Sequence, residues 1–223
     1  NTDGATIIDP KKFDNINKYI DELVELRKNK NLSRDEATEI MLNEPRFFGC
    51  MMVRLGDADG LVAGSNSPTA DVLRAAIQVV KTAPGISTVS STFVMETADK
   101  KFGDNGLILF ADCAVNPEPN AAQLADIASA TAATAASVVG LEPRVAMLSF
   151  STKGSASHPL VDKVQYACDI LTERNVNFQF DGELQADAAI VESIGVKKAP
   201  GSKVAGKANI LVFPDLQSGN IGY

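Results

Sequence analysis

The residues of this chain that could do chemistry are most concentrated in one loop, Ser151–Ser157, with the sequence STKGSAS. The apolar run Val145–Phe150 before it predicts a buried strand, and Pro159 after it predicts the first turn of a helix. A strand, a hydroxyl-rich loop and a helix N-terminus favour an anion, because free backbone N–H groups and the helix dipole attract negative charge. We therefore predict a phosphate-binding loop whose contacts come from Ser151, Thr152, Gly154 and Ser155. The alternative is an ordinary strand-to-helix turn with good capping residues.

Two further loops follow predicted strands, Asp112–Pro119 and Pro214–Asn220. Ligands of open parallel sheets bind beyond the carboxyl ends of the strands, so these loops are expected near the first one. Asn116 is the polar candidate within them, and the alternative is a turn-forming Asn-Pro pair. A fourth loop of similar composition, Gly64–Thr69, precedes a predicted helix that carries Arg74.

Several side chains that could suggest catalysis have simpler interpretations. His158 stands beside a proline at a predicted helix start, so we expect a capping or surface histidine. Cys113 ends a predicted buried strand and is expected to serve packing. Spacing alone places Arg27, Arg54 and Arg74 on solvated helix faces. No serine-hydrolase elbow, P-loop or dinucleotide fingerprint occurs in the sequence.

The pattern of the chain changes at Pro84. Before it, helical spacing of apolar residues over 13–26, a capping box at Ser33 and Glu36, a helix from Pro45 and a helix capped by Thr69 predict a helical segment. After it, strands and helices alternate. The predicted strands are Ser87–Glu96, Leu107–Asp112, Val145–Phe150, Asn177–Phe180 and Ile210–Phe213. The predicted helices run from the cap at Asn120 to Gly140, over Pro159–Glu173 and over Leu184–Ser193, and Asn105-Gly106 predicts a turn.

These elements predict an α/β fold, a three-layer αβα arrangement around a mostly parallel sheet, because near-continuous apolar strands separated by helices need cover on both faces. Residues 1–83 are expected to form part of a first, split lobe, and residues 84–223 a second α/β lobe.

Composition excludes several classes of protein. The chain has 223 residues and a formal net charge of −7, which argues against nucleic-acid binding. Three widely separated cysteines and a single histidine offer no metal-ligand spacing, so no metal is expected. No apolar run approaches the roughly 20 residues that a membrane helix needs. Unpaired cysteines favour a reducing cytoplasm.

Eight segments together resemble the phosphate acetyl/butyryl transferase family, and they run in order over nearly the whole chain. The most specific are FGCMMVR (48–54), ADGLVAGSNSPTADVLR (58–74), ADCAVNPEPNAAQLADIA (111–128), MLSFSTKGSA (147–156), DGELQADAA (181–189) and KKAPGSKVAGKANILVFPDLQSGNIGY (197–223).

The resemblance implies reversible transfer of an acetyl group between coenzyme A and orthophosphate, giving acetyl phosphate, without a metal or redox cofactor. It implies two α/β lobes around a cleft, similar to isocitrate/isopropylmalate dehydrogenases, in a cytoplasmic homodimer. Arg27 and Arg74 match arginines that the family associates with coenzyme A binding. The family's catalytic Ser-Arg pair and Asp follow GNIGY, so they are expected beyond Tyr223, and the catalytic residues within this chain stay unassigned. We accordingly expect a core fragment with little activity by itself.

Two alternatives remain open at this stage. One is a butyryl transferase of the same family, since the acyl pocket cannot be located in the sequence. The other is a non-catalytic domain of the same fold that senses acetyl-coenzyme A or drives oligomerisation.

Overall fold

The computed structural model describes residues 3–223. The chain divides into two compact units, of which the first ends at Ala83 and the second spans Pro84–Tyr223. Each unit has a hydrophobic core of its own.

The regular secondary structure in the described part of the first unit is helical. It comprises α1 (Ile16–Leu26), α2 (Arg34–Asn43), α3 (Pro45–Leu55) and α4 (Thr69–Val79). The capping box at α2 is confirmed, because the Ser33 side chain accepts from the Glu36 amide and the Glu36 side chain accepts from the Ser33 amide. The cap predicted at Thr69 is wrong. Pro68 occupies the N-cap position without a side-chain hydrogen bond, and Thr69 is the first helical residue.

Aromatic packing forms the centre of this unit. The ring centroids of Phe13, Tyr19 and Phe48 lie 5.0 to 5.3 Å apart, within the range of favourable aromatic pairs. Tyr19 is fully buried, and its hydroxyl donates to Asp57 at 2.5 Å, so the polar end of the ring is satisfied. Burial and the neighbouring Asp57 carboxylate both raise the pKa of this phenol.

The second unit is built on a five-stranded sheet in the order β1-β2-β5-β3-β4. The strands are β1 (Phe93–Glu96), β2 (Leu107–Ala111), β3 (Arg144–Leu148), β4 (Gln179–Leu184) and β5 (Ile210–Val212). Strand β1 is antiparallel to β2, whereas β2, β5, β3 and β4 are parallel to one another. The helices are α5 (Ala121–Thr134), α6 (Pro159–Glu173), α7 (Ala186–Ile190), α8 (Glu192–Lys198) and α9 (Leu216–Gly222).

Alternate residues of the central strands enter two different cores. On β3, Val145 and Met147 pack with residues of α5 and α6, whereas Ala146 and Leu148 pack with residues of α7 and of the segment 199–208. This period of two is that of a sheet covered on both faces. The predicted three-layer αβα fold with a mostly parallel sheet is therefore confirmed.

In this unit, the helix ends and turns that depend on neighbouring residues were predicted correctly. Helix α6 has the predicted bounds, and Asn120 and Gln123 form the expected capping box of α5. After Thr134 the helix continues as a π-helical turn, Ala135–Val139, and ends at Gly140 with a φ of 78°. Asn105 and Gly106 both have positive φ, as the predicted turn requires.

Four predictions of the bounds or type of an element were wrong. Only Phe93–Glu96 of the predicted strand Ser87–Glu96 is a strand, and in the residues before it the hydroxyl groups of Ser87, Thr88 and Ser91 bind the buried carboxylates of Asp126 and Asp112. The strand predicted at Asn177–Phe180 begins at Gln179 and continues to Leu184, and the helix predicted to start there is two short helices, α7 and α8. Most of the predicted loop Pro214–Asn220 is helix α9, which Asp215 caps.

Candidate active site

The carboxyl ends of β2, β5 and β3 lie side by side at one edge of the sheet, since β5 pairs with both neighbours in parallel. The segments that follow these strands are those singled out in the sequence, 112–119, 214–220 and 151–157. The structure thus brings three of the predicted segments together within the second unit.

The loop after β3 is a tight, well-bonded turn. Ser151 is fully buried and Thr152 is 5% exposed, while Lys153, Gly154 and Ser155 are exposed. Lys153 and Gly154 have φ values of 48° and 81°, and the Ser155 amide donates to the Thr152 carbonyl at 3.1 Å. Positive φ at both central positions defines a type I′ turn, which explains the glycine at position 154.

The anion that this loop binds is a side chain of the same protein, Glu183 of β4. One carboxylate oxygen accepts from the Ser151 hydroxyl at 2.9 Å and from the Gly154 amide at 2.7 Å, and the other accepts from Gln165 at 3.0 Å. Glu183 is 2% exposed. Burial favours its neutral form, but these hydrogen bonds outweigh burial and hold the pKa of the carboxyl below its ordinary value. Glu183 is therefore ionised. It accepts hydrogen bonds from two of the groups that were predicted to bind an external anion, the Ser151 hydroxyl and the Gly154 amide.

The remaining loop residues divide between structural contacts and exposure. Thr152 accepts from the Gln185 amide at 2.9 Å through its hydroxyl, which ties the loop to the end of β4. Lys153 donates to Asp181 and to the Gly182 carbonyl. The Ser155 hydroxyl accepts from the Thr152 amide at 3.0 Å and lies 3.3 Å from the Ser151 hydroxyl, and among the hydroxyl-bearing residues of the predicted set Ser155 is the exposed one.

His158 caps the helix that follows. Its Nδ1 accepts from the Leu160 amide at 3.1 Å, and Pro159 has no N–H to offer. The prediction of a capping histidine is confirmed. Because the first amides of α6 have partners within the chain, the helix N-terminus contributes its dipole but no free donor to an anion nearby.

Asn116 belongs to a second buried carboxylate site. The Asp112 carboxylate accepts from the Ser91 hydroxyl and from the amides of Ala114, Val115 and Asn116, and the Asn116 side chain donates to Asp112 and to the Val89 carbonyl. Burial disfavours the charged form of Asp112, but these hydrogen bonds outweigh the effect of burial and lower the pKa of the carboxyl. Asn116 is thus held by Asp112 and by the Val89 carbonyl.

Cys113 follows Asp112 and is fully buried. Burial and the Asp112 charge raise the pKa of its thiol to about 11. A thiol with so high a pKa is a poor nucleophile near neutral pH, in agreement with the predicted packing role.

An apolar pocket of about 300 Å³ opens beside the Ser151 loop, at the carboxyl ends of β3 and β5. Phe150 and Phe213 extend from these two strands, Leu160 comes from the first turn of α6, and Ser149 and Ser218 supply hydroxyl groups. An apolar cavity with a few polar groups at this edge of a parallel sheet suits a small organic ligand.

Arg27 and Arg74 both belong to the first unit. Arg27 is half-buried at the C-terminus of α1, and its guanidinium makes no hydrogen bond or ion pair with residues 3–223. Arg74 is exposed on α4 and pairs with Asp71 at 2.8 Å.

Within the described residues, no group of three His, Cys, Asp or Glu side chains is arranged to hold a metal ion. None of the helices in that part of the chain is long and apolar enough to cross a membrane.

Comparison with known proteins identifies the family. The model of the family described as phosphate acetyl/butaryl transferase matches residues 1–223. The chain belongs to this family. A phosphate acetyltransferase from Thermoanaerobacterium thermosaccharolyticum is 58% identical over 219 residues, which are 98% of this chain and 66% of that protein. Another, from Clostridium acetobutylicum, is 49% identical with the same coverage.

A solved structure, the EutD phosphotransacetylase from Staphylococcus aureus, matches with a TM-score of 0.88 and 42% identity. It covers all of this chain, which corresponds to 66% of that structure. The chain therefore spans just under two thirds of the length of these family members.

Sequence reasoning missed Glu183 and the apolar pocket. Glu183 stood within the segment DGELQADAA, which also contains Asp181 and Asp187, so composition did not single it out. The pocket had no signal of that kind, because its walls come from β3, β5 and three helices that meet only in the folded unit.

Proposed function

We propose that the protein to which these residues belong is a phosphate acetyltransferase, which transfers an acetyl group reversibly between coenzyme A and orthophosphate. The observation that carries this proposal is the 58% identity to a phosphate acetyltransferase over 98% of the chain. The loop and pocket at the carboxyl edge support it, since acyl transfer to phosphate needs polar donors next to a space for an uncharged acyl group.

The proposed roles follow from this chemistry. Arg27 and Arg74 would bind the negatively charged groups of coenzyme A, for which guanidinium groups are well suited. Ser155 would contact phosphate, while Ser151, Thr152 and Gly154 shape the loop that presents it. Asn116 would hold the neighbouring loop through Asp112. The apolar pocket would receive the acyl end of the thioester.

The cellular setting is also part of the proposal. Coenzyme A, phosphate and acetyl phosphate would be the small-molecule partners, without a metal or redox cofactor and without nucleic acid, in acetate metabolism. Three free cysteines support a cytoplasmic location. We expect a homodimer, which light scattering of the purified protein would test.

The deciding experiment is an exchange assay on the full-length protein, in which acetyl-coenzyme A and phosphate are mixed and both released thiol and acetyl phosphate are measured. Stoichiometric formation of both products supports the proposal. Binding of acetyl-coenzyme A without turnover would instead favour the non-catalytic sensing domain. Comparison of kcat/KM for acetyl- and butyryl-coenzyme A separates the acetyl from the butyryl transferase.

A further inference from the structure

A second pocket, which is polar, lies at the edge of the sheet opposite the candidate active site. Its volume is about 420 Å³. Arg144 and Gln179 are the first residues of β3 and β4, and Lys207 precedes β5 by three positions. Because the amino ends of parallel strands share one edge, a ligand in this pocket would be separated by the length of the strands from a ligand beside the Ser151 loop.

The lining of this pocket is strongly basic. It contains four cationic side chains and one carboxylate, Glu192, in a chain whose net charge is −7. The four cations are Lys101, Arg144, Lys203 and Lys207. Like charges that gather on a surface repel one another, so a cluster of this kind favours an anion.

Part of this charge is balanced within the chain. Arg144 pairs with Asp104 at 2.7 Å, and Lys101 pairs with Asp99 at 2.6 Å. By contrast, neither Lys203 nor Lys207 has a carboxylate within 4.0 Å among residues 3–223. Arg144 also donates to the Lys207 carbonyl at 2.6 Å, so two of its five N–H donors have partners within the chain.

The segment that carries the two unpaired lysines is held firmly. The amides of Val204 and Ala205 donate to the Ser202 hydroxyl, and the Gly206 amide donates to the Ala188 carbonyl at 2.8 Å. Val204 is fully buried. The lysine side chains therefore extend from an ordered backbone, so little backbone entropy is lost when a ligand binds between them.

We propose that this pocket binds a diphosphate group, either free or as part of a nucleotide. A diphosphate carries enough negative charge to engage the two unpaired lysines and the free donors of Arg144 together. The volume is within the range of small-molecule sites and exceeds what a single phosphate fills. The inference is independent of the proposed transferase activity, since no residue of this pocket lies at the carboxyl edge.

Calorimetric titration of the full-length protein with inorganic pyrophosphate tests the proposal, and coenzyme A is left out because its own diphosphate could occupy the pocket. The unsubstituted protein should bind one pyrophosphate, and increasing salt should weaken the binding. The double variant K203Q/K207Q should bind pyrophosphate at least about tenfold more weakly, because two charge-assisted contacts are lost. ATP should bind like pyrophosphate, and AMP about tenfold more weakly, since it has a single phosphate.

The matched control is K197Q, which removes an exposed lysine of α8 outside the pocket. It should bind pyrophosphate like the unsubstituted protein. All substituted lysines are exposed, so unchanged circular dichroism and Tm are expected for every variant. Equal affinity of the double variant and the unsubstituted protein would overturn the site. AMP binding as tight as pyrophosphate binding would overturn the diphosphate assignment.

Discussion

Replacement of Glu183 tests whether an internal carboxylate orders the loop after β3. In Glu183→Ala the fully buried Ser151 hydroxyl and the Gly154 amide both lose their acceptor. A hydrogen bond to a charged group contributes about 1.5–3 kcal/mol, and a buried donor left without a partner costs about 1–3 kcal/mol. We therefore expect Glu183→Ala to lower the free energy of unfolding of the second unit by about 3 kcal/mol.

Glu183→Gln separates the shape of the side chain from its charge. The amide oxygen can still accept from Ser151 and Gly154, and Gln165 can rotate its amide to accept from the new N–H₂ group. Only the charge-assisted part of the hydrogen bonds is lost, so the expected cost is about 1–2 kcal/mol. Glu173→Ala, at the exposed end of α6, is the matched control and should change stability by less than about 0.5 kcal/mol.

The assay combines urea unfolding with hydrogen exchange at the Gly154 amide, because a chain of two units need not unfold in one step. The exchange rate should rise most in Glu183→Ala and less in Glu183→Gln. An alanine variant as stable as Glu173→Ala, with unchanged exchange at Gly154, would refute the ordering role.

The pH dependence gives an independent check on the charge of Glu183. Its pKa is lower in the folded than in the unfolded chain, where the ordinary value is 4.5. The ionised form thus stabilises the fold above pH 4.5, and this contribution is lost as the pH falls through the lower folded value. The stability difference between the unsubstituted protein and Glu183→Gln should be constant at neutral pH and shrink below pH 4.5. A difference independent of pH would mean that folding does not lower the pKa of this carboxyl.

Three further outcomes are expected elsewhere. Asp126→Ala removes a buried carboxylate that accepts three hydrogen bonds of 2.7–2.9 Å, and it should cost about 3 kcal/mol in urea unfolding, whereas an equal stability would contradict a structural role. Asn120→Ala breaks the capping box of α5 and should cost about 1 kcal/mol, seen as a Tm lower by about 2–4 °C. The buried Cys113 thiol, with a pKa of about 11, should react with an aromatic disulfide at pH 8 only after urea is added, with Cys113→Ser to identify its signal.

Local signals in the sequence predicted most of the secondary structure. Capping boxes, the proline that opens α6 and the Asn105-Gly106 turn each depend on residues within a few positions of one another. Where a distant partner decided the conformation, prediction failed. Ser87 and Thr88 have the composition of a strand, but their hydroxyl groups bind Asp126, which lies 38 or 39 positions away.

In the candidate site, too, some features depend on neighbouring residues and others on partners that are distant in the sequence. The sequence by itself determined the family and the three-layer fold, and it determined that polar segments follow three of the strands, because the alternation of apolar residues and the placing of polar residues are properties of short segments. Only the tertiary structure decided that β5 lies between β2 and β3, that an apolar pocket opens beside Phe150 and Phe213, and that Glu183 occupies the loop predicted to bind an external anion. The physical reason is that a donor bonds whichever acceptor the fold brings within about 3 Å, and the sequence around Ser151 contains no record of a carboxylate 32 residues further along the chain.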